Sequence, residues 1–209
     1  MNIIERIRNK LFPKTGVYQY KDYGEYEAVQ IQTNIDKLDV TWVNKDNILM
    51  LSDYIKKNIP TVRFGLCHGT RRGNEQAWFR EALGCDVIGT EISPTATRFP
   101  HTIQWDFNKV KEEWIGKVDF IYSNSFDHAF NPEQTLDAWM SCVQPDGLCI
   151  LEWTIGHISP SKEDPFGATL SGYKKLIKNK YKIAEILRGY KVGSRRDKDT
   201  FYFIIKHRK

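Results

Sequence analysis

Residues Val62 to Glu91 constrain this chain more than any other stretch. An apolar run, Val62-Arg63-Phe64-Gly65-Leu66-Cys67, leads into a polar turn holding Gly69 and Gly73. A helical pattern over 74–83 follows, and a second apolar run ends on Gly89-Thr90-Glu91. Two strands joined through a helix lie parallel, because the crossover returns the chain to the same edge. Gly84 sits just past the helix, where a left-handed residue closes a helical end.

The alternation continues downstream. Strands are predicted over 61–67, 86–90, 102–105, 118–123 and 148–154. Helices are predicted over 74–83, near 94–98, over 108–115 and over 132–143. Gln144-Pro145-Asp146-Gly147 reads as a turn before the fifth strand. Strands separated by helical crossovers imply a parallel sheet covered on both faces. Residues 155–167 hold two prolines and two glycines without periodicity and are expected to be a surface loop. A helix over 169–180 comes next. Two strand-like runs, Lys182–Lys191 and Thr200–Lys206, joined by a short polar connection, suit a hairpin with an antiparallel last strand.

The N-terminal part differs. Residues 2–12 place Ile3, Ile4, Ile7 and Leu11 on one side of a short helix, stopped by Pro13. A tyrosine-rich stretch, Tyr18, Tyr20, Tyr23 and Tyr26, enters a helix running toward Leu38, and a further helix covers Asn44 to Lys57. The chain is therefore expected to divide into an N-terminal helical extension, 1–44, and an α/β domain, 45–209. The tyrosines and Trp42 suit either a lid over an acceptor or packing for the N-terminal helices.

At 209 residues, with 41% hydrophobic and 27% charged residues, the composition is that of a globular protein. No apolar run approaches the roughly 18 residues of a membrane helix. The four cysteines form no C-x-x-C pair, and no cysteine or histidine spacing suggests a metal; a reduced, cytoplasmic protein is expected. The net charge is +5, with many of the lysines and arginines after Tyr173, a distribution that suits a solvated helix face or contact with nucleic acid.

The turn after the first strand carries the chemistry. Little side-chain bulk at Gly69 lets a ligand approach the backbone. The following helix offers free N–H groups, and a carboxylate about 20 residues on, Glu91, can take ribose hydroxyls. These are the parts of a nucleotide-type site.

Five ordered segments resemble the class I S-adenosylmethionine-dependent methyltransferases, over roughly residues 45 to 209. Gly65-Leu66-Cys67-His68-Gly69-Thr70-Arg71 stands where that family has acidic-x-Gly-x-Gly-x-Gly, keeping only the central Gly69. Gly89-Thr90-Glu91-Ile92-Ser93 resembles the end of the second strand. Trp105-Asp106-Phe107 resembles the adenine-contacting segment. Val118 to His128 resembles the fourth strand and the loop under the methyl donor, through Ser123-Asn124-Ser125. Val143 to Glu152 resembles the L-K-P-G-G turn and fifth strand.

The resemblance implies a Rossmann-like α/β fold: a doubly wound seven-stranded sheet, mostly parallel, with an antiparallel C-terminal strand. It implies S-adenosylmethionine as cofactor. Glu91 would hold the ribose, while Asp106 and the Phe107 backbone would meet the adenine. Backbone around Cys67, His68 and Gly69 would line the methionine portion. Glu75, in the first turn of the following helix, would replace the acidic residue missing at Gly65 and face the cofactor's ammonium group. Asp106 equally suits a cap for the turn after it, and Glu75 suits the helix dipole. For acceptor activation the candidates are His128, Asp127 and His157, since a hydroxyl must lose its proton as the methyl arrives. The acceptor implied is a small molecule or saccharide, methylated on oxygen. The D-P-P-Y-type tetrapeptide of base-amino methyltransferases is replaced by Ser123-Asn124-Ser125-Phe126, which disfavours nucleic-acid amino groups. The alternatives are a nicotinamide-dependent oxidoreductase and a non-catalytic domain binding RNA or protein through its basic end.

Overall fold

The computed structural model describes residues 16–190 and 200–208. The expected helix over 2–12 and most of the polar connection before the last strand lie outside the described residues. The described chain opens with β1 (Gly16–Val17), α1 (Tyr23–Asp36) and α2 (Lys45–Asn58). Then come β2 (Phe64–His68), α3 (Asn74–Leu83), β3 (Asp86–Glu91), β4 (Thr102–Gln104) and β5 (Val118–Ser123). The remaining elements are α4 (Pro132–Cys142), β6 (Val143–Trp153), β7 (Phe166–Gly167), α5 (Leu170–Lys180), β8 (Lys182–Arg188) and β9 (Phe201–Lys206).

Seven strands form one sheet in the order β4-β3-β2-β5-β6-β9-β8. The first five are parallel, and β9 runs antiparallel to both neighbours. The order reverses beside β2, the first strand of the sheet, as in a doubly wound fold. The sheet, its parallel core and its antiparallel C-terminal strand agree with the sequence expectation.

Alternation along each strand sorts side chains to two faces. On one face Cys67, Phe120, Tyr122, Ile150 and Ile204 pack under Ile48, Leu51 and Ile55 of α2 and Phe79 of α3. On the other, Leu66, Ile121, Leu151 and Phe203 pack under Trp139 of α4 and Tyr173 and Ile177 of α5. Gly65 pairs with Phe120 across the β2–β5 ladder, and a Cβ on Gly65 would lie 2.3 Å from the Phe120 ring. The ring fills the space a side chain at position 65 would need.

Three local expectations are corrected. Residues 108–115 form turns with a single short 3-10 segment, Glu112–Trp114, instead of a helix. Asp106 Oδ1 accepts from the Asn108 N–H at 3.0 Å, and Asn108 Oδ1 accepts from the Phe130 N–H, so the side chains hold this stretch in turns. Gln144 to Gly147 lie within β6 as an irregularity: β5 advances from Val118 to Phe120 while β6 advances from Val143 to Leu148. The loop 155–167 contains a short 3-10 segment, Ile155–Ile158, and β7, which pairs with β1 in a second, two-stranded sheet.

Candidate functional site

Open α/β sheets bind ligands outside the carboxyl ends of their strands, beside the strand where the order reverses. Here β2, β3, β5 and β6 end around three adjoining recesses. In the first, Gly69 ends β2 with φ +73°, and a Cβ there would come within 2.6 Å of the Ser125 Cβ. The loops after β2 and β5 therefore meet backbone against side chain, which only glycine permits. Gly69 N–H and Thr70 N–H both donate to the Thr90 carbonyl, fixing the turn on β3.

Glu91, at the end of β3, is buried. Its carboxylate accepts from the Arg71 N–H at 3.0 Å and the Ser93 N–H at 3.3 Å. Burial raises its pKa, and these backbone donors pull it back. Asp106 and Phe107 follow β4 and face the same cleft. Asp106 Oδ1 caps the turn at Asn108, while its Oδ2 accepts a short hydrogen bond from Tyr23 Oη.

Tyr23 belongs to α1, which closes this cleft. The buried positions of α1 are Tyr26, Gln30, Thr33 and Asn34. All four carry an amide or a hydroxyl. A helix buries such groups only against partners, and here the same four residues line the cleft. The tyrosines also pack: Tyr20, Tyr23 and Tyr26 gather around Phe130. The free volume left in the cleft is only ≈ 40 Å³.

The second recess holds Glu75, Thr70 and Asn124 beside Trp42. Glu75 is buried in the first turn of α3, and burial pushes its pKa up to about 8. The nearby Glu152 adds to the rise and Arg71 opposes it.

The third recess is a cavity of ≈ 400 Å³ between the ends of β5 and β6 and the loop before β7. It brings together the three sequence-predicted acid–base candidates, Asp127, His128 and His157. His157 Nε2 lies 3.6 Å from Asp127 Oδ2, and His157 Nδ1 is buried with no hydrogen-bond partner. Burial lowers the His157 pKa, while Glu152 and Asp164 oppose that. Burial raises Asp127 to about 6.

These observations decide the fold class. No protein-family model and no curated protein matches the sequence. Solved structures do match. The 1,6-didemethyltoxoflavin-N1-methyltransferase of Burkholderia thailandensis, bound to 1,6-didemethyltoxoflavin and S-adenosylhomocysteine, superposes with TM-score 0.71 at 14% identity. That match covers 93% of this chain and 94% of the other. The plantazolicin methyltransferase BpumL, in complex with S-adenosylhomocysteine, gives 0.62 at 14% identity over 99% and 100%. A TehB-like methyltransferase from Corynebacterium glutamicum gives 0.58 at 13% over 90% and 100%. This chain has the S-adenosylmethionine-dependent methyltransferase fold.

Within that methyltransferase fold, the expected cofactor-side residues divide. Gly69, Glu91, Ile92, Asp106, Phe107 and Ser125 line the closed cleft. Thr70, Glu75 and Asn124 line the second recess. Gly65 has no side chain, and those of Cys67, His68 and Ser123 face elsewhere. Gly65 packs on Phe120, and Cys67 lies fully buried on the α2–α3 face, its thiol pKa pushed well up by burial. His68 Nδ1 pairs with Thr90 Oγ1 at 2.8 Å and its ring packs on Trp139, with burial lowering its pKa to about 3. Ser123 Oγ donates to the His68 carbonyl at 2.9 Å.

Sequence reasoning missed Arg71, Gln30, Glu152 and Asp164. Arg71 stands where the family has a third glycine, and its φ of +45° keeps the left-handed turn that glycine would make. It borders all three recesses. Its departure from the motif was the available signal. Gln30 and Asp164 carried none, since neither sits in a motif.

Proposed function

We propose that this protein is an S-adenosylmethionine-dependent methyltransferase that methylates an oxygen of a small polar acceptor, a saccharide being the class that fits best. The observation that carries this is the junction of the closed cleft and the cavity, which share Arg71, Ser125 and His128. The cofactor supplies an electrophilic methyl on a sulfonium. Everything else falls to the chain: binding, orientation and handling of a proton.

The residues of the cleft suit an adenosyl group. Glu91 has lone pairs beyond those its two backbone donors use, enough for ribose hydroxyls. Asp106 and Phe107 suit the adenine, and Glu75 the ammonium group. The cleft as it stands is far smaller than the roughly 300–1,000 Å³ of ordinary ligand pockets. Tyr23 and α1 are therefore what a cofactor displaces, and the N-terminal segment through residue 44 serves as the lid.

The cavity supports a hydroxylic acceptor. Its wall carries the carboxylates of Asp127, Glu152 and Asp164, the amide of Asn124 and the half-exposed Trp42 ring. Carboxylates accept from hydroxyls, and an aromatic face covers the apolar side of a sugar ring. His157 is the better base of the two histidines. His128 Nδ1 is engaged by Gln30, whereas His157 Nδ1 is free of protein partners. Asp127 lies beside His157, whose depressed pKa keeps it neutral and able to accept the acceptor's proton.

Thermal melting with S-adenosylhomocysteine tests the cofactor half. A ligand at 100 times its Kd stabilises by about 2.7 kcal/mol. No shift at millimolar ligand sinks the proposal and favours a non-catalytic domain. Mass spectrometry of sugar and sugar-nucleotide acceptors incubated with methyl-labelled cofactor tests the acceptor half.

A further inference from the structure

Three donor atoms on the cavity wall converge without meeting. Asp127 and His128 lie in the turn after β5, and Asp164 lies in the loop before β7. One ligand atom from each falls within 4.8 Å of the others. His128 Nε2 is 3.5 Å from Asp164 Oδ1 and 4.0 Å from Asp127 Oδ1, too far for hydrogen bonds. Asp127 Oδ1 is buried with no hydrogen-bond partner, an expensive state for a carboxylate oxygen.

The state of His128 follows from groups outside the cluster. Gln30 Nε2 donates to the Glu163 carbonyl at 3.1 Å, and a carbonyl can only accept. Gln30 must therefore turn its Oε1 toward His128 Nδ1, 2.7 Å away. That oxygen in turn can only accept, so Nδ1 carries a hydrogen. In the neutral ring Nε2 then presents a lone pair to two carboxylate oxygens. An acceptor on the far nitrogen of a metal-binding histidine fixes its tautomer in this way.

We propose that Asp127, His128 and Asp164 form a divalent-cation site on the wall of the acceptor cavity. A cation among three atoms so spaced lies about 2–2.5 Å from each, the range of metal–nitrogen and metal–oxygen bonds. One imidazole and two carboxylates suit a first-row ion such as manganese(II) or zinc(II). Three protein donors leave positions that open to the cavity. Asp127 uses Oδ1 here and keeps Oδ2 toward His157, so both roles coexist. The cation's task of holding the acceptor's oxygen rests on the methyltransferase reading; the site itself does not. The sequence hides it, because Asp164 is brought in by a separate loop.

The test is titration of the chelator-stripped full chain with manganese(II), following free metal by electron paramagnetic resonance. Manganese is chosen because it disfavours the chain's four free thiols. One ion per chain is expected, with affinity at least tenfold weaker in Asp164→Asn and His128→Gln. The Asp164 side chain is 42% exposed, so its variant keeps the fold, as its melting temperature will confirm. Absence of stoichiometric binding, or native affinity in either variant, overturns the site. Melting with S-adenosylhomocysteine on the same samples separates the two proposals. A shift without manganese binding removes the metal site alone, and manganese binding without a shift removes the cofactor alone.

Discussion

The narrow cleft and the larger cavity lie side by side, yet they are built on different principles. The cleft, ≈ 40 Å³, is made of strand ends: Gly69 after β2, Glu91 closing β3, and Asp106 and Phe107 after β4. Its two carboxylates, Glu91 and Asp106, are bound to backbone or to α1. The cavity, ≈ 400 Å³, is made of loops, and it holds buried atoms without partners: Asp127 Oδ1 and His157 Nδ1. Satisfied groups fix a shape. Unsatisfied ones keep their chemistry for a ligand. On the proposed function, cofactor binding falls to the cleft, and acceptor selection and proton handling to the cavity.

The sharpest way to break that contrast is His157→Gln. Turnover should fall about 100–10,000-fold, the range of a general base, with cofactor Kd unchanged by calorimetry. A change in Kd of similar size would erase the division.

Glu91→Ala probes the other side. Loss of the charge-assisted hydrogen bonds to the ribose, a net of about 1.5–3 kcal/mol, should weaken S-adenosylhomocysteine binding about 10–150-fold. Manganese binding in the cavity should be untouched.

Glu75→Gln has a smaller and two-sided effect. Cofactor affinity should drop about tenfold if Glu75 meets the ammonium group, and an unchanged affinity rejects that role. Stability should move the other way. Folded Glu75 holds its proton up to about pH 8, while 4.5 is its ordinary value. Stability is therefore lost as pH rises between those values, since the folded state binds more protons. The variant should melt about 5–10 °C higher at pH 8.5 and nearly unchanged at pH 5.

Tyr23→Phe carries the smallest effect. It frees Asp106 Oδ2 from α1, so cofactor affinity should rise about threefold, the worth of a modest hydrogen bond. A loss of affinity would mean that the Tyr23 hydroxyl contacts the ligand instead of competing with it.

The same contrast explains what could be read in advance. Alternation and crossover length exposed the parallel sheet, and Gly84 does close α3 with φ +66°. Gly69 and Glu91 were visible because their roles are local, a turn conformation and a strand end. The empty place at Gly65 was visible, but its reason was not: Phe120 stands opposite only once β2 and β5 pair. The cavity was half legible. Asp127, His128 and His157 follow strands, whereas Glu152 looked like core strand and Asp164 like loop. Gln30 was hidden most completely, because a polar residue in a helical pattern gives no sign that it faces inward. The short β1–β7 pairing escaped for a related reason, since two residues cannot display a period.

Tyr23, Tyr26 and Gln30 lie three and four residues apart on α1, on one side of the helix. Tyr23 holds Asp106 in the cleft, Tyr26 Oη donates to the His128 carbonyl, and Gln30 holds the His128 ring. A helix is stiff along its axis, so these three attachments move as one lever. Whatever lifts Tyr23 from Asp106 also pulls on the histidine at the far end. The cleft and the cavity wall are thus fastened to one face of a single helix.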